Sequence, residues 1–513
     1  MTTAAGMAGD APCGDAPWVR VEWSGGRATV QGASRAVVGG TWGPDGERLA
    51  EGTFAEWQWD GTRLAARTDR FGFQPLYYAA RGGTLWLSPS IPALLAAGAP
   101  AELDDAALAV FLRLGYFLDA DTAFRQVRQV PPAARIAWAE GQLTVEGGRS
   151  GAPRQHAIGR DEAVDRYVAL FRAAMARRPV DPARTVVPLT GGRDSRHILL
   201  ELHAAGAAPA RTVTVQVAPP KSAEDVRVAR ALAAATGVEH AALPATATRH
   251  ADEVEKNWRT GLTVFEHYWE MAVIRWLAAH GAPRPIVYDG IAGDTLSEAK
   301  YMSARRLELF RRGDLATYVA EELAPERYLP VFLGAAMYRR LARGLAVERL
   351  TAELRTHLEA PNPVGSYRFW NRTRRGVALA PFGLLSRVAE LRAPFLDDAL
   401  FDFLAGLPAE LLVDRSFHTA AIARGYPAFA AIPYENPDAT RPSAAAAGRR
   451  WTVELSRWLA ATQGRRGPVR LLRVGAYAAR TWPKLALGRR AGDVNGANEL
   501  ATYLRQLELL AGE

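Results

Sequence analysis

The chain has 513 residues, 49% hydrophobic and 23% charged, which suits a globular protein of two or three domains. A single cysteine, Cys13, excludes a disulfide framework and a cysteine zinc site, and no uninterrupted apolar run approaches the ~18 residues of a membrane span. The net charge of +9 rests almost wholly on arginine, since the lysines are only Lys221, Lys256, Lys300 and Lys484; it reads as compositional bias, and no nucleic acid partner is expected.

In chain order, MTTAAGMAGDAPCGDAP lacks a basic start and an apolar core, so a cytoplasmic protein is expected. The segments VRVEW, ATVQG, FAEWQW, LAARTD, PLYYAA and TLWLSP read as short strands separated by Gly, Asp and Pro. DDAALAVFLRLGYF reads as a helix capped by Asp104 or Asp105, and RIAWAEGQLTVEG as a hairpin with a glycine turn. GGRSGAPRQHAIGR reads as a linker. The pattern then changes: a helix over DEAVDRYVALFRAAMARR, a strand TVVPL, a helix RHILLELHAAG, a strand RTVTVQV. A helix SAEDVRVARALAAATG follows, with Ser222 and Asp225 spaced as a capping box, then a strand PIVYDG. Beyond residue 300 the chain is mostly helical. Alternation of strand and helix predicts a parallel sheet flanked by helices, an α/β fold, behind an α+β N-terminal domain. The expected boundaries are 1–150, 160–440, and a basic helical extension over 441–513. From Arg441 to Arg490 there are twelve Arg or Lys residues and one acid, Glu454. That stretch reads either as a solvated helical surface or as a docking face for an acidic partner or an anionic membrane surface.

Ligands of an open parallel sheet bind at the carboxyl ends of its strands. Thr190–Ser195, the run TGGRDS, sits at such an end. Gly191 and Gly192 let backbone N–H groups approach a phosphate, the next helix points its positive end there, and Thr190 and Ser195 add hydroxyls. Asp194 would repel a phosphate unless Mg²⁺ lies between them. A Walker loop is ruled out, because no Lys precedes the Ser.

These residues bring in a resemblance. TGGRDS is similar to the SGG-x-DS pyrophosphate loop of N-type ATP pyrophosphatases, and the surrounding chain resembles asparagine synthases. DRFGFQPLYY (Asp69 to Tyr78) resembles the signature of their class II amidotransferase domain, and LWLSPSIPALLAAG the segment after it. TVTVQV with Glu224 and His240, DGIAGDTLS (Asp289 to Ser297) and LRAPFLDDALFDFLAGLP resemble later family segments in family order. The resemblance covers roughly residues 40–440. It implies an adenine nucleotide alpha hydrolase-like sheet and an ATP-dependent, amide-forming ligase. A carboxylate would attack the α-phosphorus of ATP, pyrophosphate would leave, and an amine would capture the acyl-adenylate. The implied nucleotide contacts are Thr190, Gly191, Gly192, Asp194, Ser195, Val215 and Gly290, with Asp194 and Asp294 holding Mg²⁺.

The departures shape the expectation as much. Glutamine-hydrolysing relatives use an N-terminal cysteine; here residues 1 and 2 are Met and Thr, and Cys13 would need cleavage after Pro12. The family's N-G-E-I-Y-N segment is missing. A degenerate amidotransferase domain is therefore expected, and an amine substrate in place of ammonia. The lysine of the family's R-x-K-x-G-F-like segment is absent from AAIPYENPDATRP, where Arg441 is the candidate stand-in, and Thr295 occupies an acidic position. FEHYWE is read as helical, with Glu266 and Glu270 on one face beside His267. Glu266 is then either a general base or surface charge. FWNRTRRG concentrates Arg372, Arg374 and Arg375, as a phosphate or carboxylate contact or as a solvated cluster. Two alternatives stay open, a glutamine-dependent asparagine synthase and a non-catalytic scaffold; tRNA thiolation lacks the cysteines it needs. The substrates and the oligomeric state are not legible.

Overall fold

The computed structural model describes residues 16–40, 52–178, 180–217, 221–244, 248–323, 326, 328–435, 445–465, 469–486 and 492–511. Cys13 and Arg441 lie outside them. Ten strands build the N-terminal part: β1 (Val19–Ser24), β2 (Arg27–Gly32), β3 (Arg35–Gly39), β4 (Phe54–Trp59), β5 (Arg63–Thr68), β6 (Tyr77–Arg81), β7 (Thr84–Ser88), β8 (Val127–Gln129), β9 (Arg135–Ala139) and β10 (Gln142–Glu146). They form two antiparallel sheets, in the orders β2-β1-β7-β6-β8 and β10-β9-β5-β4-β3. Alternation explains the layering: in β5 every second residue, Leu64, Ala66 and Thr68, is buried. Val19, Val21, Trp57, Leu64, Leu85, Leu87, Ile136 and Trp138 fill one apolar cluster drawn from both sheets. The β9–β10 turn has both central residues in the left-handed region, Glu140 at φ 50° and Gly141 at φ 77°, as a two-residue hairpin with right-handed twist requires. The strands β3 and β8, short at five and three residues, are not among those read from the sequence.

The third sheet contains β11 (Thr185–Pro188), β12 (Arg211–Gln216), β13 (Glu239–Pro244), β14 (Ile286–Tyr288) and β15 (Glu390–Arg392). Its order is β13-β12-β11-β14-β15 and every pairing is parallel. The chain runs outward from β11 to β13, then returns to β14 on the other side. The switch point lies between β11 and β14, where an open sheet forms its ligand crevice. The fold is thus mixed α/β, with antiparallel sheets first, then a parallel sheet and many helices.

The helix of the predicted capping box runs over Lys221–Thr236, and its Asp225 also reaches the Thr190–Ser195 loop: Oδ1 accepts the Gly191 N–H at 3.2 Å.

FWNRTRRG lies on a π-helical segment, Phe369–Val377, and two of its arginines are neither solvated nor at a ligand site. Arg374 is buried and donates to the carbonyls of Phe71 (3.2 Å), Asp119 (3.1 Å) and Val130 (2.9 Å), and Arg375 donates to that of Asp121. Planar five-donor groups suit such carbonyl clusters, and here they tie the N-terminal sheets to the parallel-sheet region. The C-terminal helices Ala445–Thr462, Val474–Ala486 and Gly492–Leu510 share one apolar cluster with Phe111 and Phe117 and with Trp258 and Phe332, so they are built into the body of the molecule.

Candidate active site

Thr190–Arg193 bridges β11 to the helix Asp194–Ala204. That helix has no side-chain cap at its start, so its first N–H groups face the loop with no intrahelical acceptor. The loop's own donors are held lightly: Gly192 N–H reaches Thr190 Oγ1, and Thr190 N–H reaches Ser195 Oγ, each at 3.2 Å, the long end of the range. Gly191 must lack a side chain, since a Cβ there would stand 2.8 Å from Glu435 Cβ. The 432–435 segment is pinned on the loop by Arg196, which donates to the Ile432 carbonyl (2.8 Å) and lies 3.8 Å from the Tyr434 ring centre, and by the Glu435 N–H on Gly191 O (3.0 Å).

The loop after β14 closes on the same point. Asp294 N–H donates to Asp194 Oδ2 at 3.0 Å, so the two acids converge as expected although 100 positions apart. Glycine makes the approach feasible. A Cβ on Gly290 would lie 2.6 Å from Asp194 Cβ, and one on Gly293 the same distance from Asp194 Oδ1. Between them Ala292 holds φ 75°, a strained value for a residue with a Cβ. Asp294 Oδ1 accepts the Thr295 hydroxyl at 3.1 Å, and Thr295 pairs with Thr373 at 2.9 Å. The threonine in the acidic position thus orients Asp294.

Asp194 Oδ1 is buried and accepts no hydrogen bond. Burial, then the nearby charges of Asp294 and Glu298, holds the Asp194 carboxyl well above the usual range. Two converging carboxyls, one with an unbonded oxygen, have the donor set a hard divalent cation takes, and such a cation would favour their ionised form. Among the described residues no three His, Cys, Asp or Glu side chains gather as a metal site. Two carboxylates suit a cation whose remaining ligands are phosphate oxygens and water.

Sequence reasoning missed three neighbours. Lys300 Nζ lies 3.8 Å from Asp294 Oδ2; burial disfavours its charge, but Asp294, Tyr301 and Glu298 outweigh burial and hold its pKa above the ordinary value. Its scarcity was the available signal, since only four lysines survive in a chain this rich in arginine. Glu298 pairs with Arg193 (3.1 Å) and Arg415 (2.9 Å), which neutralises the loop's own arginine. His418 is fully buried, with Nδ1 2.9 Å from Ser297 Oγ and 3.4 Å from Asp194 Oδ1, and Nε2 3.1 Å from His197 Nδ1. Ser297 donates to the Gly293 carbonyl, so it accepts from His418. Burial, then Arg193, pushes His418 down to about 3 and keeps it neutral.

Val215 stands one residue from the carboxyl end of β12, half-buried, on the same edge of the sheet as the loop. The FEHYWE helix does not form. Its helix starts at Glu270, His267 sits at φ 82°, and Glu266 comes on a loop, so Glu266 and Glu270 share no helical face. Two long-range ties override the periodicity: Phe265 N–H bonds Gly115 O at 3.2 Å, and Lys256 Nζ bonds the carbonyls of Val264 (3.0 Å) and Phe265 (2.9 Å). Glu266 pairs with Arg372 at 2.8 Å. Burial raises its pKa, but Arg372, His267 and Lys300 outweigh burial and hold it below the ordinary value. The Arg372 guanidinium lies 4.7 Å from the Tyr301 ring centre, and Tyr301 follows Lys300, so three residues, Arg372, Tyr301 and Lys300, lead from Glu266 to Asp294.

In comparison with protein-family models, the glutamine amidotransferase domain matches residues 36–147 and asparagine synthase matches residues 166–418. Comparison with curated proteins returned no match. Among solved structures, similarity is found to a glutamine phosphoribosylpyrophosphate (PRPP) amidotransferase from B. subtilis complexed with ADP and GMP, at 12% identity over 38% of this chain and 48% of that chain, TM-score 0.15. A structure of the allosteric regulatory enzyme of purine biosynthesis matches at 13% identity over 38% of this chain and 47% of that one, TM-score 0.15. The match spans less than half the length of either relative.

Proposed function

The chain is an asparagine synthase-like protein with an N-terminal glutamine amidotransferase domain, and from that premise we propose that it joins a carboxylate to an amine at the expense of ATP, releasing AMP and pyrophosphate. The observation that carries this reading is the meeting of Asp194 and Asp294 over an uncapped helix start, at the switch point of a parallel sheet. The proposed topology is that of an adenine nucleotide alpha hydrolase, which the central position of β11 supports.

In this reading the polyphosphate lies on Thr190–Ser195. Gly191 N–H leaves Asp225, and Gly192 N–H leaves Thr190, to meet phosphate oxygens; both bonds are long and readily exchanged. Asp194 and Asp294 would hold Mg²⁺, whose role is to neutralise charge that grows on the departing pyrophosphate. Lys300 adds a fixed positive charge on the same side. Val215 and Gly290 would border the nucleotide. Glu266 faces the acceptor side and steers the incoming amine, whose proton must leave before attack.

The N-terminal domain acts as a packing module. Its signature acid, Asp69, is already committed to three backbone N–H groups, those of Phe54 (3.0 Å), Phe71 (2.8 Å) and Gly72 (3.0 Å). No glutamate is then expected from glutamine, and its release by the purified chain would overturn this part.

The test is product analysis with ATP, Mg²⁺, a panel of carboxylic acids and hydroxylamine. AMP, pyrophosphate and an acyl hydroxamate are expected; ADP and phosphate would refute the reaction class. Glu266→Gln should keep hydroxamate formation and lose amide formation with the natural amine.

A further inference from the structure

Beside Glu266 and Arg372 lies a cavity of about 310 Å³ where three regions meet. Leu112–Tyr116 of the N-terminal domain form one wall, Val264–Glu266 and Arg372 a second, and Glu499 of the C-terminal helix Gly492–Leu510 the third. The walls are fixed. One turn beyond Glu499, Tyr503 stacks on Phe111 (4.5 Å) and meets Phe265 edge-on (5.2 Å). Gln506 accepts from Asn257 (2.7 Å) and donates to the Val254 carbonyl (2.9 Å), while Lys256 holds the Glu266 loop from beneath.

The charges in and around this cavity are paired, with one exception. Arg113 is bonded to Glu326 (2.7 Å), Arg372 to Glu266 (2.8 Å), and the buried Lys256 to Glu253 (2.8 Å). Arg249 lies over the rings of Tyr268 and Trp451. Glu499 receives no hydrogen bond from any described residue, and burial, then Glu253, pushes it up to about 8. A cavity lined by a carboxyl that receives no hydrogen bond lacks a cationic donor group.

We infer that this cavity binds the acceptor as a primary ammonium on an organic body, with Glu499 of the C-terminal helix its counter-ion and Tyr116 and Phe265 its apolar walls. The inference rests on the proposed amide-forming reaction. An ammonium has three donors: one meets Glu499, and Glu266, which lines the same cavity, offers a further acceptor. The C-terminal helices would then be part of the specificity apparatus.

The test pairs the isosteric Glu499→Gln with wild type. Calorimetric titration with n-butylammonium chloride should show binding to wild type, weakened at least about tenfold in the variant. In turnover, the KM for the natural amine should rise by a similar factor relative to hydroxamate formation, because hydroxylamine is uncharged at neutral pH. Equal butylammonium affinity in both proteins, or none in wild type, would overturn the inference. A wild type that forms neither hydroxamate nor AMP would instead fail the underlying reaction, while the butylammonium titration still reads the cavity.

Discussion

Two aspartates, Asp69 at a turn of the N-terminal domain and Asp194 at a helix start in the parallel-sheet region, are both held above the ordinary carboxyl range, each chiefly by partial or full removal from water. Their bonding differs. Asp69 uses both oxygens on three backbone N–H groups and closes its own turn, whereas Asp194 accepts one N–H, from Asp294, and leaves Oδ1 with none. The first is a complete structural device. The second has bonding capacity that the protein does not fill, at the point of the sheet where ligands bind. Burial alone therefore separates neither role; the count of bonds each oxygen makes does.

The largest effect should come from breaking the second site. Asp194→Asn removes the anion while its single oxygen, Oδ1, can still accept the Asp294 N–H, and should lower adenylation on the order of a thousandfold with unfolding unchanged. Asp69→Asn should do the reverse. It sets an NH₂ against one of three N–H groups and costs about 1–3 kcal/mol of stability, read by urea titration, with adenylation per folded molecule retained. The glycines repeat the contrast at smaller scale. Gly293→Ala puts a Cβ 2.6 Å from Asp194 Oδ1, and should lower adenylation about a hundredfold by displacing that side chain. Gly72→Ala, at φ 59°, should cost about 1 kcal/mol in stability and leave adenylation intact.

A further effect concerns pH. Burial, then Asp289, raises Glu270 from 4.5 to about 8, behind the second loop of the site. The folded state therefore holds this proton more tightly than the unfolded chain. Its stabilising effect is full below about pH 4.5 and is lost as pH rises through 8. Melting temperature should fall between pH 5 and pH 8.5, and Glu270→Gln should flatten that fall.

The parts legible in the sequence were those fixed by neighbours in the chain. β11, β12 and β14 and the glycine loops follow from runs of β-branched residues and from turn chemistry, and the convergence of Asp194 and Asp294 from their equivalent places after two strands. What failed depends on contacts across the fold. Glu266 leaves its expected helix because Gly115 and Lys256 hold the loop; Arg374 and Arg375 are buried because N-terminal carbonyls wait for them. His418 joins Asp194 only through the packing of the helix Phe417–Gly425, which no local spacing announces. β15 depends on pairing with β14 and is only three residues long.

The most direct measurement is isotope exchange between pyrophosphate and ATP, run with Mg²⁺ over a panel of carboxylic acids, on wild type and on Asp194→Asn. The account predicts label entering ATP only when the right acid is present, and its loss in the variant while the variant still folds. Exchange that is undiminished in Asp194→Asn, or absent from wild type with every acid, would contradict it.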